Sequence, residues 1–160
     1  MELEIKLAYD QAQDISELFT EYTNMLIEGD DSIREYLKIQ NYNDELLHLE
    51  KKYGFPYGRL YIAYYNGKPA GCIGLRKIDN ENCEMKRLYV KPSFRGKHIA
   101  KQLINKIIND SRDIGYKYIL LDTLPFLQNA INLYKQFGFY EIGCYNDSPM
   151  ETSIYMKKDL

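Results

Sequence analysis

Four consecutive residues, Arg95-Gly96-Lys97-His98, stand between two segments of different period. Before them, Met85 to Val90 has the β-branched and aromatic content of a strand, and Pro92 ends it because proline has no amide to give a ladder. After them, Ile99, Leu103, Ile104, Ile107 and Ile108 repeat at helical spacing. A helix start leaves amide groups unpaired and carries partial positive charge. Gly96 lets that backbone approach a ligand closely. Arg95 and Lys97 add formal charge, and the Arg95 fork matches phosphate oxygens. The combination describes a phosphate or pyrophosphate site. The alternative is an ordinary strand-to-helix turn with solvated basic side chains, and the local spacing fits both.

Other reactive side chains lack useful spacing. Cys72, Cys83 and Cys144 are far apart and odd in number, and neither His48 nor His98 has a partner at ligand spacing. No metal site or disulfide framework is expected from that pattern. No serine–histidine–acid or cysteine–histidine set suggests a covalent acyl-enzyme. The motifs GxxxxGKS/T and GxGxxG are absent, which disfavours a nucleotide-phosphate enzyme. A net charge of −2 over 160 residues gives no general attraction to nucleic acid or an anionic membrane. No apolar run approaches the ~20 residues that span a bilayer. The start MELEIK has neither the basic residues nor the apolar stretch of a secretory leader, so a cytoplasmic protein is expected.

The elements around the turn read as one α/β domain over 1–160, with 45% hydrophobic residues to fill a core. Residues 2–8 alternate as a strand. Asp10 is placed to cap a helix in which Ile15, Leu18, Phe19, Tyr22, Met25 and Leu26 share a face and Gly29 ends it. Ser32-Ile33-Arg34-Glu35 has capping-box form, and Asn43 or Asp44 can cap a third helix that stops at Gly54. Strands 59–65, 70–78 and 83–90, joined by Asn66-Gly67 and a 79–82 turn, make an antiparallel meander. The helix from Ile99 ends near Asp113, and Tyr118–Asp122 is an apolar strand. Strand, helix and strand form a right-handed unit with parallel strands, which places a ligand at the carboxyl end of the first strand, where the basic turn lies. A helix over 127–137, a strand over 139–144, an Asn146-Asp147-Ser148-Pro149 turn and a strand over 152–157 complete the order. Strict alternation in 84–90 would set Glu84, Lys86, Leu88 and Val90 against Met85, Arg87 and Tyr89. Arg76, Lys86 and Arg87, on neighbouring strands, are placed either to read a carboxylate or phosphate or to serve as surface charge.

Two stretches carry a resemblance to a known family. Arg95-Gly96-Lys97-His98-Ile99-Ala100 is similar to motif A of the GNAT superfamily of N-acetyltransferases, Gln/Arg-x-x-Gly-x-Gly/Ala, with His98 where the family usually has glycine. Leu133-Tyr134-Lys135-Gln136-Phe137-Gly138-Phe139 resembles the family's LY-x-x-x-GF signature, and EMKRLYV at 84–90 with LDTL at 121–124 is similar to one bacterial branch. The resemblance covers nearly the whole chain. It implies the GNAT fold: a mixed, mostly antiparallel seven-stranded sheet with helices on both faces and the parallel unit at its centre.

It also implies an activity, the movement of acetyl from acetyl-CoA to a primary amine by direct transfer in a ternary complex. The rival is a non-catalytic acyl-CoA-binding module. In the family, the loop matching Arg95, Gly96, Lys97, His98, Ile99, Ala100 and Lys101 holds the coenzyme pyrophosphate, and the strand end matching Leu88, Tyr89 and Val90 pairs with the pantetheine arm. Amides near Val90 would polarise the thioester carbonyl. Tyr134 matches the family's general acid, and a phenol of pKa near ~10 keeps its proton for a departing thiolate. Packing as one core aromatic among 16 tyrosines is its alternative role. Glu84 matches a frequent base; at an unperturbed pKa near ~4.3 it would act through water or be shifted by burial. A solvated carboxylate is the other reading of it. Arg76, Arg87 and Tyr145 are candidates for the acceptor side. An asparagine that many members use on the coenzyme is replaced by Leu127. A small-molecule or peptide amine is the implied partner, without nucleic acid or membrane, and a homodimer is the implied assembly.

Overall fold

In the computed structural model, residues 2–39, 42–146, 148 and 150–160 are described. Strand β1 (Leu3–Leu7) is followed by four helices: α1 (Ala12–Gly29), α2 (Ile33–Ile39), α3 (Tyr42–Leu47) and α4 (Leu49–Tyr53). The meander β2 (Arg59–Tyr65), β3 (Lys68–Lys77) and β4 (Asn82–Val90) leads through a 3-10 turn at Pro92–Phe94 into α5 (Ile99–Ile114). Strand β5 (Tyr118–Thr123), α6 (Gln128–Gln136), β6 (Tyr140–Ile142) and β7 (Ile154–Asp159) complete the chain. The seven strands form one sheet in the order β1-β2-β3-β4-β5-β7-β6, and β4 with β5 is its parallel pair.

Alternation along the strands feeds two cores. Tyr61, Ala63, Ile73, Leu75, Cys83 and Met85 face α5, whose Ile99, Leu103, Ile104, Ile107 and Ile108 are all buried against them. Each such side chain contributes ~1.5–3 kcal/mol of transfer free energy, which offsets chain entropy. Leu60, Ile62, Cys72 and Tyr89 face the other way, onto Ile15, Leu18 and Phe19 of α1 and Leu49 and Tyr53 of α4. Helices therefore cover both faces.

Local chemistry explains several boundaries. Asn66 and Gly67, at φ +50° and +80°, form a two-residue hairpin that pairs Tyr65 with Lys68. Gly115 closes α5 in the left-handed region. Asp10 does not cap α1, which begins after Gln11 without a side-chain cap. The capping box at Ser32 does not form either: the Glu35 amide donates to the Ser32 carbonyl, and the Ser32 hydroxyl donates to Asp30 Oδ1 at 2.6 Å. The expected third helix is broken at His48 into α3 and α4. Strand β6 stops at Ile142, short of Cys144. The turn expected at 146–149 includes Asp147 and Pro149, which lie outside the described residues.

Candidate active site

The site begins with an irregularity in β4. Cys72 pairs with Tyr89 and Gly74 with Lys86, so two steps on β3 match three on β4. Arg87, at φ +61°, takes up the extra residue as a bulge. The strict alternation expected of 84–90 is thereby overturned. Met85, Leu88 and Val90 pack on the α5 side, whereas Lys86 and Arg87 share the opposite face with Glu84 and Tyr89. Neither Lys86 nor Arg87 is surface charge, at 8% and 5% exposure.

Strand β4 pairs with β5 only from Asn82 to Glu84, opposite Tyr118 to Leu120. Beyond that point the pairing stops, and among the described residues the β4 edge facing β5 has no ladder partner through Leu88, Tyr89 and Val90. A cavity of about 30 Å³ in the gap is lined by Lys86, Leu88, Asp122 and Tyr134 among others. Tyr134 reaches it from α6, buried, with its ring 5.8 Å from that of Phe139. Burial pushes its phenol well above the usual range, so it keeps its proton.

The basic turn lies past the free end of β4. Gly96 and His98 have φ of +81° and +61°, and His98 is the residue that opens α5. The position usually held by glycine in motif A is thus one that needs a left-handed backbone, and histidine is among the side chains found there more often than most. The first backbone bond into α5 runs from Gln102 N to His98 O at 3.2 Å. Among the described residues, the amides from Gly96 to Lys101 donate to no backbone carbonyl. Arg95, Lys97, His98 and Lys101 are exposed around them, Ala100 is half-buried, and Ile99 turns into the core and leaves only its amide to the turn. Arg95 Nε donates to Val90 O at 3.3 Å, which ties the turn to the strand end. This arrangement suits a pyrophosphate.

Glu84 is 2% exposed. Arg76 Nε lies 2.6 Å from its Oε1, Lys86 Nζ lies 3.7 Å from the same oxygen, and Tyr145 donates its hydroxyl to Oε2. Burial alone would raise the Glu84 carboxyl, but Lys86 and then Arg76 outweigh it and hold the group below its ordinary value. The carboxylate is buried and not solvated, and the upward push of burial is more than offset by the two cations. Tyr145 packs edge-on against Tyr155 at 5.4 Å, and its phenol is raised by burial and by Glu84.

Arg87 is placed differently from Arg76 and Tyr145. Its guanidinium grips Glu45 of α3 at two points, so its fork faces a carboxylate of the fold and not an acceptor. Arg76, Glu84 and Lys86 line a cleft of about 710 Å³ together with Tyr36, Phe55 and Asn146 among others. Asp122, at the end of β5, accepts hydrogen bonds from Tyr36 Oη and from Asn146 Nδ2, the latter at 2.9 Å. Sequence reasoning did not single out Asp122, Tyr36 or Asn146. The position of Asp122 at the carboxyl end of a parallel strand was a usable signal. Nothing local marks Tyr36.

Among the described residues, no three His, Cys, Asp or Glu side chains are grouped to hold a metal, and no helix is long and apolar enough to cross a membrane.

Comparison with known proteins adds four similarities. Residues 14–139 match the model of the acetyltransferase (GNAT) family. An uncharacterised N-acetyltransferase of Dictyostelium discoideum is 32% identical, covering 99% of this chain and 98% of its own. An acetyltransferase from Streptococcus agalactiae has the same fold, with a TM-score of 0.78 at 23% identity over 99% of this chain and 98% of that one. A GNAT family acetyltransferase from Elizabethkingia anophelis, solved with acetyl-CoA bound, aligns with a TM-score of 0.56 at 25% identity over 65% of this chain and 77% of that one.

Proposed function

The chain belongs to the acetyltransferase (GNAT) family, and on that premise we propose that it moves acetyl from acetyl-CoA to a primary amine by direct attack within a ternary complex. The observation that carries this reading is the gap between β4 and β5. It opens beside Tyr134 and ends at the unpaired amides of the basic turn.

In this reading the amides from Gly96 to Lys101, with Arg95, Lys97 and Lys101, hold the pyrophosphate. The free edge of β4 at Leu88, Tyr89 and Val90 pairs with the amides of the pantetheine arm. An amide near Val90 polarises the thioester carbonyl. The acceptor nitrogen bonds to the carbonyl carbon, the carbon–sulfur bond breaks, and Tyr134 gives its proton to the leaving sulfur. Two substrates held in register supply most of the acceleration.

On the acceptor side, Arg76, Glu84 and Tyr145 line the approach. Glu84 stays ionised and takes the proton that the amine releases through water, while Tyr145 fixes its second oxygen. Arg87 is a positioning residue that holds α3 against the bulge. The described residues act as one catalytic domain, placed in the cytoplasm and with a homodimer as the assembly to test by light scattering.

Calorimetric titration with acetyl-CoA and with its 3′-dephospho form, followed by thiol-release assays on an amine panel, tests the reading. Binding with turnover supports it. Absence of acetyl-CoA binding overturns it.

A further inference from the structure

Lys86 is a buried cation with a single ion-pair partner among the described residues. It is 8% exposed, and among the described residues its ammonium donates no hydrogen bond. An ammonium carries three donors. Its nearest carboxylate oxygen, Glu84 Oε1, is 3.7 Å away and is already engaged by Arg76 Nε at 2.6 Å. The other Glu84 oxygen is taken by Tyr145. One carboxylate is therefore shared by two cations, and the further carboxylate that lines the same gap, Asp122, is hydrogen-bonded to Tyr36 and Asn146 and not to Lys86. Burying an ammonium without hydrogen bonds is costly unless a ligand supplies them.

Lys86 also stands at a boundary. It lines the 710 Å³ cleft with Arg76, and it lines the gap between β4 and β5 with Tyr134. An anionic group held by Lys86 must then lie close to the nitrogen being acetylated. Across that boundary, Asp122 offers the opposite charge, oriented by Tyr36 and Asn146. Cation and anion so arranged match a zwitterion whose two charges are a few bonds apart. A polyamine would set a second cation against Lys86 and Arg76. A peptide N-terminus would bring no charge for Lys86 to meet.

We propose that the acceptor is an α-amino acid, its carboxylate held by Lys86 and Arg76 and its ammonium received beside Asp122. This rests on the reading of the chain as an acetyl-CoA-dependent N-acetyltransferase. The amino nitrogen, once it has lost a proton, bonds to the acetyl carbon. The carbon–sulfur bond breaks, and the products are an N-acetylamino acid and the free thiol.

The test is thiol release from acetyl-CoA with the common L-amino acids, each run beside its own α-amide, which keeps the amine and removes the carboxylate charge. The expected result is at least one acid whose kcat/KM exceeds that of its amide by roughly 10- to 100-fold, the range of a charge-assisted contact. In Lys86→Gln, the acid should lose most of that advantage while the amide gains. Retained acetyl-CoA binding reports that the variant is folded, and the wild-type comparison stands without it. Turnover of amides or simple amines as fast as acids overturns the acceptor assignment and leaves the transferase reading standing. Failure to bind acetyl-CoA overturns both.

Discussion

Arg87 and Glu45 meet fork to fork, Nε to Oε2 at 2.8 Å and Nη2 to Oε1 at 2.9 Å, from positions 42 residues apart in the chain. Lys52 Nζ reaches the same carboxylate at 2.7 Å, and Tyr53 donates to it at 2.9 Å. The bulge in β4 turns Arg87 toward α3, and this cluster then joins α3, α4 and the sheet beneath the acceptor cleft. The wall of that cleft is set by a buried ion pair.

Such a pair is more costly to break than to replace. Glu45→Gln leaves a cation that is 5% exposed without its counter-charge, so it should destabilise the fold by roughly 3–5 kcal/mol in urea unfolding. Glu45→Leu combined with Arg87→Met should recover most of that loss. A single variant within about 1 kcal/mol of wild type would show that the pair is not held in the interior.

The same carboxylate sets an acid limit. Burial would raise it, but Arg87 and then Lys52 hold it at about 2, against an ordinary 4.5. A depressed carboxyl stabilises the fold above its unfolded value and loses that contribution as pH falls through its folded one. The contribution is on the order of 3 kcal/mol, and Glu84, also lowered, adds to its loss as pH falls below 4.5. Thermal midpoints should be flat above about pH 5 and then fall steeply toward pH 2. Glu45→Gln should show a shallower fall, and an equal one would place the loss elsewhere.

Tyr134→Phe separates the enzyme from a mere binder of acyl-CoA. The ring and its packing on Phe139 stay, and only the proton beside the gap is lost. kcat should fall by roughly 100-fold, the scale of a general acid, with acetyl-CoA affinity within about twofold. Unchanged kcat would remove Tyr134 from the chemistry.

Much of this architecture was legible because it is local. Asn66-Gly67 specifies its hairpin, and Ile99 to Ile108 specify the buried face of α5. The basic turn followed from a strand ending at Val90 and a helix starting at Ile99, with eight residues between them. The bulge was not legible: Lys86-Arg87-Leu88 contains no glycine, and alternation assumes an unbroken ladder. Alternation therefore set Arg87 on the face of Met85, and its pairing with Glu45, 42 residues away, left no mark in the spacing. Asp122 and Tyr36 meet across 86 residues, a distance over which spacing carries no information. Ser32 kept the pattern of a capping box, but Asp30, two residues before it, accepts from both its amide and its hydroxyl.

The charge on Glu84 fixes the shape of the pH profile. Its carboxyl is held below 4.5 by Lys86 and Arg76 despite burial, so it is ionised across the neutral range. kcat/KM should rise with pH along the ionisation of the acceptor amine alone. Glu84→Gln should lower it by roughly 10- to 100-fold at every pH without moving the curve. A limb between pH 6 and 7 that disappears in this variant would mean that Glu84 titrates where the enzyme works.

His98 tests the basic turn through its backbone. At φ +61° and ψ +22° it opens α5 in the left-handed region, with its side chain exposed. Glycine there would save ~1–2 kcal/mol of steric cost and return ~0.4–1 kcal/mol of unfolded-state freedom, so His98→Gly should be near neutral in stability and should bind acetyl-CoA as well as wild type. A β-branched side chain does not fit that conformation. His98→Val should force the turn to move and misalign the amides from Gly96 to Lys101. Its affinity for acetyl-CoA should drop at least tenfold by calorimetry, whereas affinity for pantetheine, which lacks the pyrophosphate, should hold. Equal losses for both ligands would place the damage in the gap between β4 and β5. Wild-type affinity for acetyl-CoA in His98→Val would mean that these amides do not hold the pyrophosphate.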